Sequence, residues 1–269
     1  MKSFFSLLLC TIYFVMGSCS SLSTHNIEQN SASFDREYYQ LKTYILESEE
    51  QLQTTENYLK EAFLPSLKSF GISNVGVFKP YEIKEDSMLQ VFVLIPFETL
   101  DQYANLNVEL NKIESYHNDG ENYLRATYDQ APYQRIESIL LQAFEDMPVM
   151  SAPGFDNPRS NRVYELRSYE SPTEAYFENK MEMFNAGGEI KLFEELGFNA
   201  VFYGEVISGP RMPNMMYMTT FANMDARDAH WKTFTDAPAW KEMSSLPQYQ
   251  NNVSHMELTL LYPTDYSDY

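Results

Sequence analysis

Tyr39-Gln-Leu-Lys-Thr-Tyr44 and Tyr164-Glu-Leu-Arg-Ser-Tyr169 are one strand written twice, with Leu41 answered by Leu166, 125 positions further on. Two more motifs keep nearly the same offset. Phe70-Gly-Ile-Ser-Asn-Val-Gly-Val-Phe78 returns as Leu196-Gly-Phe-Asn-Ala-Val-Phe-Tyr-Gly204, where Gly71 and Gly197 differ by 126. Ile95-Pro-Phe-Glu-Thr-Leu-Asp101 returns as Thr219-Thr-Phe-Ala-Asn-Met-Asp225, where Phe97 and Phe221 differ by 124. An offset this steady over three motifs marks duplicated domains rather than a short-period solenoid.

Each copy reads as strand, helix, strand, strand, helix, strand. Arg162 to Tyr169 alternates, with Tyr164 and Leu166 on one face and Glu165 and Arg167 on the other, as in a half-buried strand. Ser171-Pro-Thr173 offers a helix start, and Phe177, Met181, Phe184, Ile190, Phe193 and Leu196 follow at helical spacing. Gly187-Gly188 predicts a kink or break in that helix, and Gly197 suits a helix C-terminus. Asn199 to Ile207 reads as the second strand and Ser208 to Pro213 as the turn. The third strand, Met215 to Phe221, and its counterpart Leu89 to Ile95 are apolar on both faces, so both faces must be covered. Asp225 is expected to cap a second helix through Trp231, with Pro238-Ala-Trp240 as a further helical segment. Met256 to Tyr262 is the last strand, matched by Ile136 to Gln142.

This order gives a ferredoxin-like βαββαβ unit with both helices on one side of an antiparallel sheet. The opposite face is too apolar to remain wet. The fold class is therefore α+β, with two ferredoxin-like repeats packed sheet to sheet. Expected boundaries are 34–145 for the first domain, 146–161 for a Pro/Gly-rich linker, 162–264 for the second domain and 265–269 for a tail.

The N-terminus reads as an export signal over residues 1–18. Lys2 precedes a mostly apolar stretch, Phe4 to Met16, which is too short to span a bilayer. Met16-Gly-Ser-Cys19 resembles a lipobox, which would make Cys19 an acylated N-terminus and place the protein on the bacterial cell envelope. The alternative is an ordinary secretory signal cleaved near Gly17 or Ser18. Residues 19–33, rich in Ser, Asn and Gln, read as a flexible tether. Besides Cys19, Cys10 is the other cysteine, and it lies in the apolar stretch, so the mature domains are expected to hold no disulfide or thiolate metal site. A net charge of −19, from 38 acidic against 19 basic residues, excludes nucleic acid and anionic headgroups as partners. Membrane contact would come only through the lipid anchor. The 20 Tyr and 18 Phe require large aromatic cores.

The second copy resembles a NIPSNAP domain. Val163 to Tyr169, the Leu196-Gly-Phe198 junction and His230-Trp-Lys-Thr-Phe-Thr-Asp-Ala-Pro-Ala-Trp240 carry the resemblance. The first copy resembles the family only through Tyr39 to Tyr44 and the region of Gly71, and it lacks both tryptophans. The resemblance implies a dimeric α+β barrel, here closed within one chain as an internal pseudo-dimer, hence a monomer. It implies no particular activity.

Candidate site residues fall into two groups. His230 beside Trp231, with Trp240 and Tyr203, would put a ligand site between the second helix and the sheet of the second copy. A helix histidine resembles the iron ligand of haem-degrading monooxygenases in this superfold, so haem is the cofactor to consider. The plainer reading is a surface histidine, with the tryptophans filling space between helix and sheet. The second group is Glu165, Arg167, His255 and Glu257, on strands expected to be neighbours, either as an acid–base set or as an ion-pair network. Two function classes follow: a non-catalytic module binding a small apolar ligand or a protein partner, or a monooxygenase- or isomerase-like enzyme.

Overall fold

The computed structural model describes residues 36–82 and 87–269. The expected signal segment, Cys19 and the expected tether lie outside the described residues.

Strands form where tyrosines and branched residues alternate: β1 (Tyr38–Leu46), β2 (Gly76–Pro80), β3 (Leu89–Phe97), β4 (Arg135–Ala143), β5 (Val163–Glu170), β6 (Asn199–Ser208), β7 (Asn214–Phe221) and β8 (His255–Pro263). They close a barrel in the order β1-β3-β2-β8-β5-β7-β6-β4. Each repeat supplies four consecutive places in this ring. The repeats join edge to edge at two equivalent seams, β2 to β8 (Lys79 opposite Tyr262) and β4 to β6 (Leu141 opposite Val206). Closure leaves neither repeat with a fully free sheet edge. The two sheets thus face each other across one lumen, and this is a dimeric α+β barrel built from a single chain.

The pleat sorts side chains between lumen and helix layer. Tyr39, Leu41, Tyr164 and Leu166 point inward and join Phe78, Phe92, Phe202, Met218 and Leu261 in the barrel interior. Outside the first half pack α1 (Glu49–Asn57), a π-helical turn at Tyr58–Phe63, α2 (Leu64–Ser69), α3 (Leu100–Leu110), α4 (Glu114–Asp119) and α5 (Glu121–Leu124). Outside the second half pack α6 (Glu174–Phe184), α7 (Glu189–Glu195), α8 (Met224–Asp236) and α9 (Pro238–Ser245).

The expected break after α6 falls at Gly188, whose φ of 89° lies in the left-handed region that favours glycine. The cap of α8 is Asn223, which accepts from the Ala226 N–H, and not Asp225. Asp225 sits in the first turn, where a carboxylate favours the helix dipole.

The C-terminal tail packs back onto the barrel. Tyr269 is buried in the barrel interior, and the Thr264 and Asp268 N–H groups donate to the Val77 and Val75 carbonyls of the first repeat. The connecting segment is also tied down: Met150 enters the interior and the Ser151 N–H donates to the Val201 carbonyl. No helix among the described residues is long and apolar enough to cross a membrane.

Candidate functional site

Between the helices of the second half and the outer face of β5, β7 and β8 lies a cavity of about 500 Å³. Helical spacing on α8 brings Arg227, Trp231 and Phe234 to one wall. Trp240 enters from α9, Lys180 from α6, Glu189 and Phe193 from α7, and Arg167, Tyr169 and Tyr217 from the sheet. Aromatic residues are the largest group in the lining, with cations set among them.

Glu165 organises the sheet side. Its carboxylate is fully buried and accepts from Arg167 Nε at 2.5 Å, Arg227 Nε at 2.5 Å and Trp231 Nε1 at 2.9 Å. Three donors, two of them charged, offset the cost of burying this carboxylate. The Arg167 guanidinium, fixed by Glu165, lies 3.7 Å over the Trp231 ring and donates to the Tyr169 hydroxyl at 3.0 Å. Tyr169 and Tyr217 hydroxyls meet at 3.0 Å. Burial raises the Tyr217 hydroxyl well above the ordinary phenol range.

On the helix side, Lys180 Nζ donates to Glu189 Oε2 at 3.1 Å and lies 4.6 Å from the centre of the Phe184 ring. The two residues are only 4% and 2% exposed. Burial raises the Glu189 carboxyl above its ordinary value, although Lys180 opposes this. At the rim, desolvation and the nearby Glu182 carboxylate push Tyr249 up to about 12. Arg167, Arg227 and Lys180 are set against Glu165 and Glu189, and Arg227 also pairs with Asp228 at 2.8 Å, so three cations meet three carboxylates. An apolar body would meet the rings, and an acidic group on it would meet the Arg167 guanidinium at the wall.

The residues singled out from sequence divide as follows. Trp231, Trp240 and Arg167 line the cavity, and Glu165 stands directly behind it. Tyr203 packs against Tyr217 in the core layer without reaching the cavity wall. His230 points elsewhere. Its Nδ1–H donates to the Ala226 carbonyl at 2.7 Å, its Nε2 faces Gly197, and its ring packs against Phe198 and Phe221. Successive helix residues diverge by about 100°, so turning Trp231 to the cavity turns His230 away. These residues do not fit a haem iron, and among the described residues no cluster of three or more His, Cys, Asp or Glu could hold a metal.

His255 and Glu257 do not meet Glu165 and Arg167. Glu165 is opposite Leu260 and Arg167 opposite Leu258, while Glu257 is opposite Ser168 on the other face. Glu257 pairs instead with Arg211, and His255 stands exposed at the start of β8. Sequence reasoning missed Lys180, Glu189 and Arg227. The signal for Lys180 was present, because it continues the stripe of Phe177 and Phe184 at i+3 and i+7 spacing.

Among its described residues, the first half has no such arrangement. Gln40 replaces Glu165 and Lys42 replaces Arg167. Between its helices and sheet, Tyr58 stacks on Tyr123 at 3.8 Å, and Tyr44, Tyr116 and Tyr133 fill the remaining space.

Residues 164–268 match the family model described as NIPSNAP. This segment is similar to NIPSNAP domains. It contains the cavity, the Glu165–Arg167–Trp231 cluster and both tryptophans of the chain. A NIPSNAP family protein from Agrobacterium tumefaciens is 21% identical over 40% of this chain and 98% of its own, with a TM-score of 0.35. Two suspected monooxygenases align along nearly the whole barrel. The protein from Lactobacillus acidophilus is 13% identical over 85% of this chain and 94% of its own, with a TM-score of 0.56. The protein from Fusobacterium nucleatum is 10% identical over 86% and 93%, with a TM-score of 0.57. At these identities the likeness is one of fold. No curated protein matches the chain.

Proposed function

We propose that the NIPSNAP-like half is a binding module for a small apolar ligand with a carboxylate or similar acidic group. The observation that carries this is the Arg167 guanidinium, held at the wall of an aromatic cavity by a buried Glu165 and stacked on Trp231. Trp231 and Trp240 are the two tryptophans of the chain and both line the cavity, so intrinsic fluorescence reports on it directly. Octanoate should shift the emission saturably. Its alcohol, 1-octanol, and the Arg167→Met variant should each weaken binding by about tenfold or more, the effect expected for loss of a charged hydrogen bond. Arg167→Lys should recover part of the loss. Equal binding of acid and alcohol, or indifference to Arg167→Met, would sink the proposal.

The module is further proposed to be exported and held at the bacterial cell envelope by acylation of Cys19. The sequence Met16-Gly-Ser-Cys19 after a short apolar stretch supports this. The Cys19→Ser variant should move the protein out of the membrane fraction or leave it unprocessed. An unmodified mature N-terminus by mass spectrometry would reject the anchor.

An enzymatic reading has one observation of its own. Lys180 and Glu189 form a buried acid–base pair in the cavity wall, which is the kind of group an isomerase needs. It would act on the same acidic ligand, with Arg167 as the orienting contact.

A further inference from the structure

Because the strands alternate, the residues between those of the outer site face into the barrel. Below the β6–β7 turn they line a second cavity of about 330 Å³, within the range of about 300–1,000 Å³ typical of small-ligand sites. Its polar groups repeat across the pseudo-twofold axis. Thr43 and Ser168 place hydroxyls, Gln90 and Asn214 place amides, and Glu137 and Glu257 place carboxylates. The register shows that this repetition is geometric, with Thr43 opposite Glu137 and Ser168 opposite Glu257. The outer site exists in one half only, whereas this set was kept in both. A barrel interior serving only as core has no use for paired polar groups.

Two of these groups are deep in the wall and not fully answered. Thr43 is 8% exposed as a residue, and its hydroxyl, which has no hydrogen bond to another described residue, opens into the cavity. Asn214, also buried, donates to Ser168 Oγ at 2.9 Å and keeps a second amide hydrogen spare. A hydroxyl and an amide hydrogen that open into a cavity are available to bond water or a ligand there. Around them Leu41, Phe92 and Leu166 give an apolar wall.

The charge at the mouth selects the ligand. Arg211, at a left-handed φ of 62°, pairs with Glu257 and lies 3.6 Å from Glu170. Glu137 is left without an ion-pair partner among the described residues. Three carboxylates therefore face one guanidinium. We infer that the lumen is a second binding site, for a small organic cation. Its ammonium is held by Glu137 and Glu257, its chain lies on Leu41 and Phe92, and a terminal hydroxyl meets Thr43 and Asn214. Arg211 competes with the ammonium for Glu257.

Calorimetry on the full-length protein in detergent, with 4-amino-1-butanol as the probe, tests this independently of the tryptophan site. One saturable site is expected, with 1,4-butanediol at least about tenfold weaker and 4-hydroxybutyrate not binding. Glu137→Gln should weaken the probe by about tenfold and Thr43→Val by about threefold. Arg211→Gln should tighten it. Lys232→Gln makes the same charge change on exposed α8 and should leave binding unaltered. The inference is overturned if the diol or the acid binds as well as the amine, if Thr43→Val and Glu137→Gln are silent, or if Lys232→Gln acts like Arg211→Gln.

Discussion

Expressed as separate chains, residues 34–150 and 160–269 are expected to aggregate or form homodimers, and neither should fold as a monomer. Each half presents to the lumen a full sheet face that its partner covers. The first half would expose Tyr39, Leu41, Phe78, Phe92, Leu94 and Leu141. At about 1.5–3 kcal/mol for each large apolar side chain, that loss matches or exceeds the whole stability of a typical domain, about 5–15 kcal/mol. Both seams would also open, freeing strand edges at β2, β4, β6 and β8. The C-terminus adds a crossover, since Ser267 Oγ accepts from the Val77 N–H and Lys68 pairs with Asp268 at 2.8 Å. Analytical ultracentrifugation with denaturant melts of each half is the check. A half that is monomeric and unfolds cooperatively would show that the lumen is not a shared core.

The barrel was legible because it is written twice. Three motifs at a near-constant offset set the repeat, and strands apolar on both faces required a covering layer on each side. What remained hidden was how the pleats of neighbouring strands line up. Glu165 with Arg167, and His255 with Glu257, each share a face within a strand, but no sequence pattern states whether those faces coincide between strands. A one-residue change in register exchanges them, and the observed register sends Glu257 to the lumen. The same angular argument separates His230 from Trp231. Adjacent residues on a helix point about 100° apart, so a contiguous motif is poor evidence for a contiguous site. Glu189 was hidden for a different reason. Directly after Gly188, it reads as an ordinary first-turn acid of α7, and only the fold of α6 against α7 gives it Lys180.

That pair yields the second large effect. Lys180→Met or Glu189→Gln alone should cost about 3–5 kcal/mol, because each leaves a buried polar or charged partner unanswered. The double variant Lys180→Met/Glu189→Leu should be near neutral or more stable by about 1–4 kcal/mol, since apolar packing replaces two desolvated charges. Denaturant melts of the four proteins form a double-mutant cycle. Its pH dependence has a defined sign. Burial raises the folded-state Glu189 carboxyl above its ordinary value of 4.5, so the folded protein holds that proton more tightly than the unfolded chain. The contribution is complete below the ordinary value and is lost as pH rises through the raised one. Wild-type stability should therefore fall relative to the double variant as pH rises from about 4.5, a difference that Glu189→Leu removes. Single variants costing less than about 1 kcal/mol would mean that water reaches the pair. A stable double variant also separates fold from function. If the pair is retained for the ligand, that protein should melt like the wild type or later and yet bind octanoate more weakly, since the cavity will have lost the Lys180 ammonium as a donor while its net charge is unchanged.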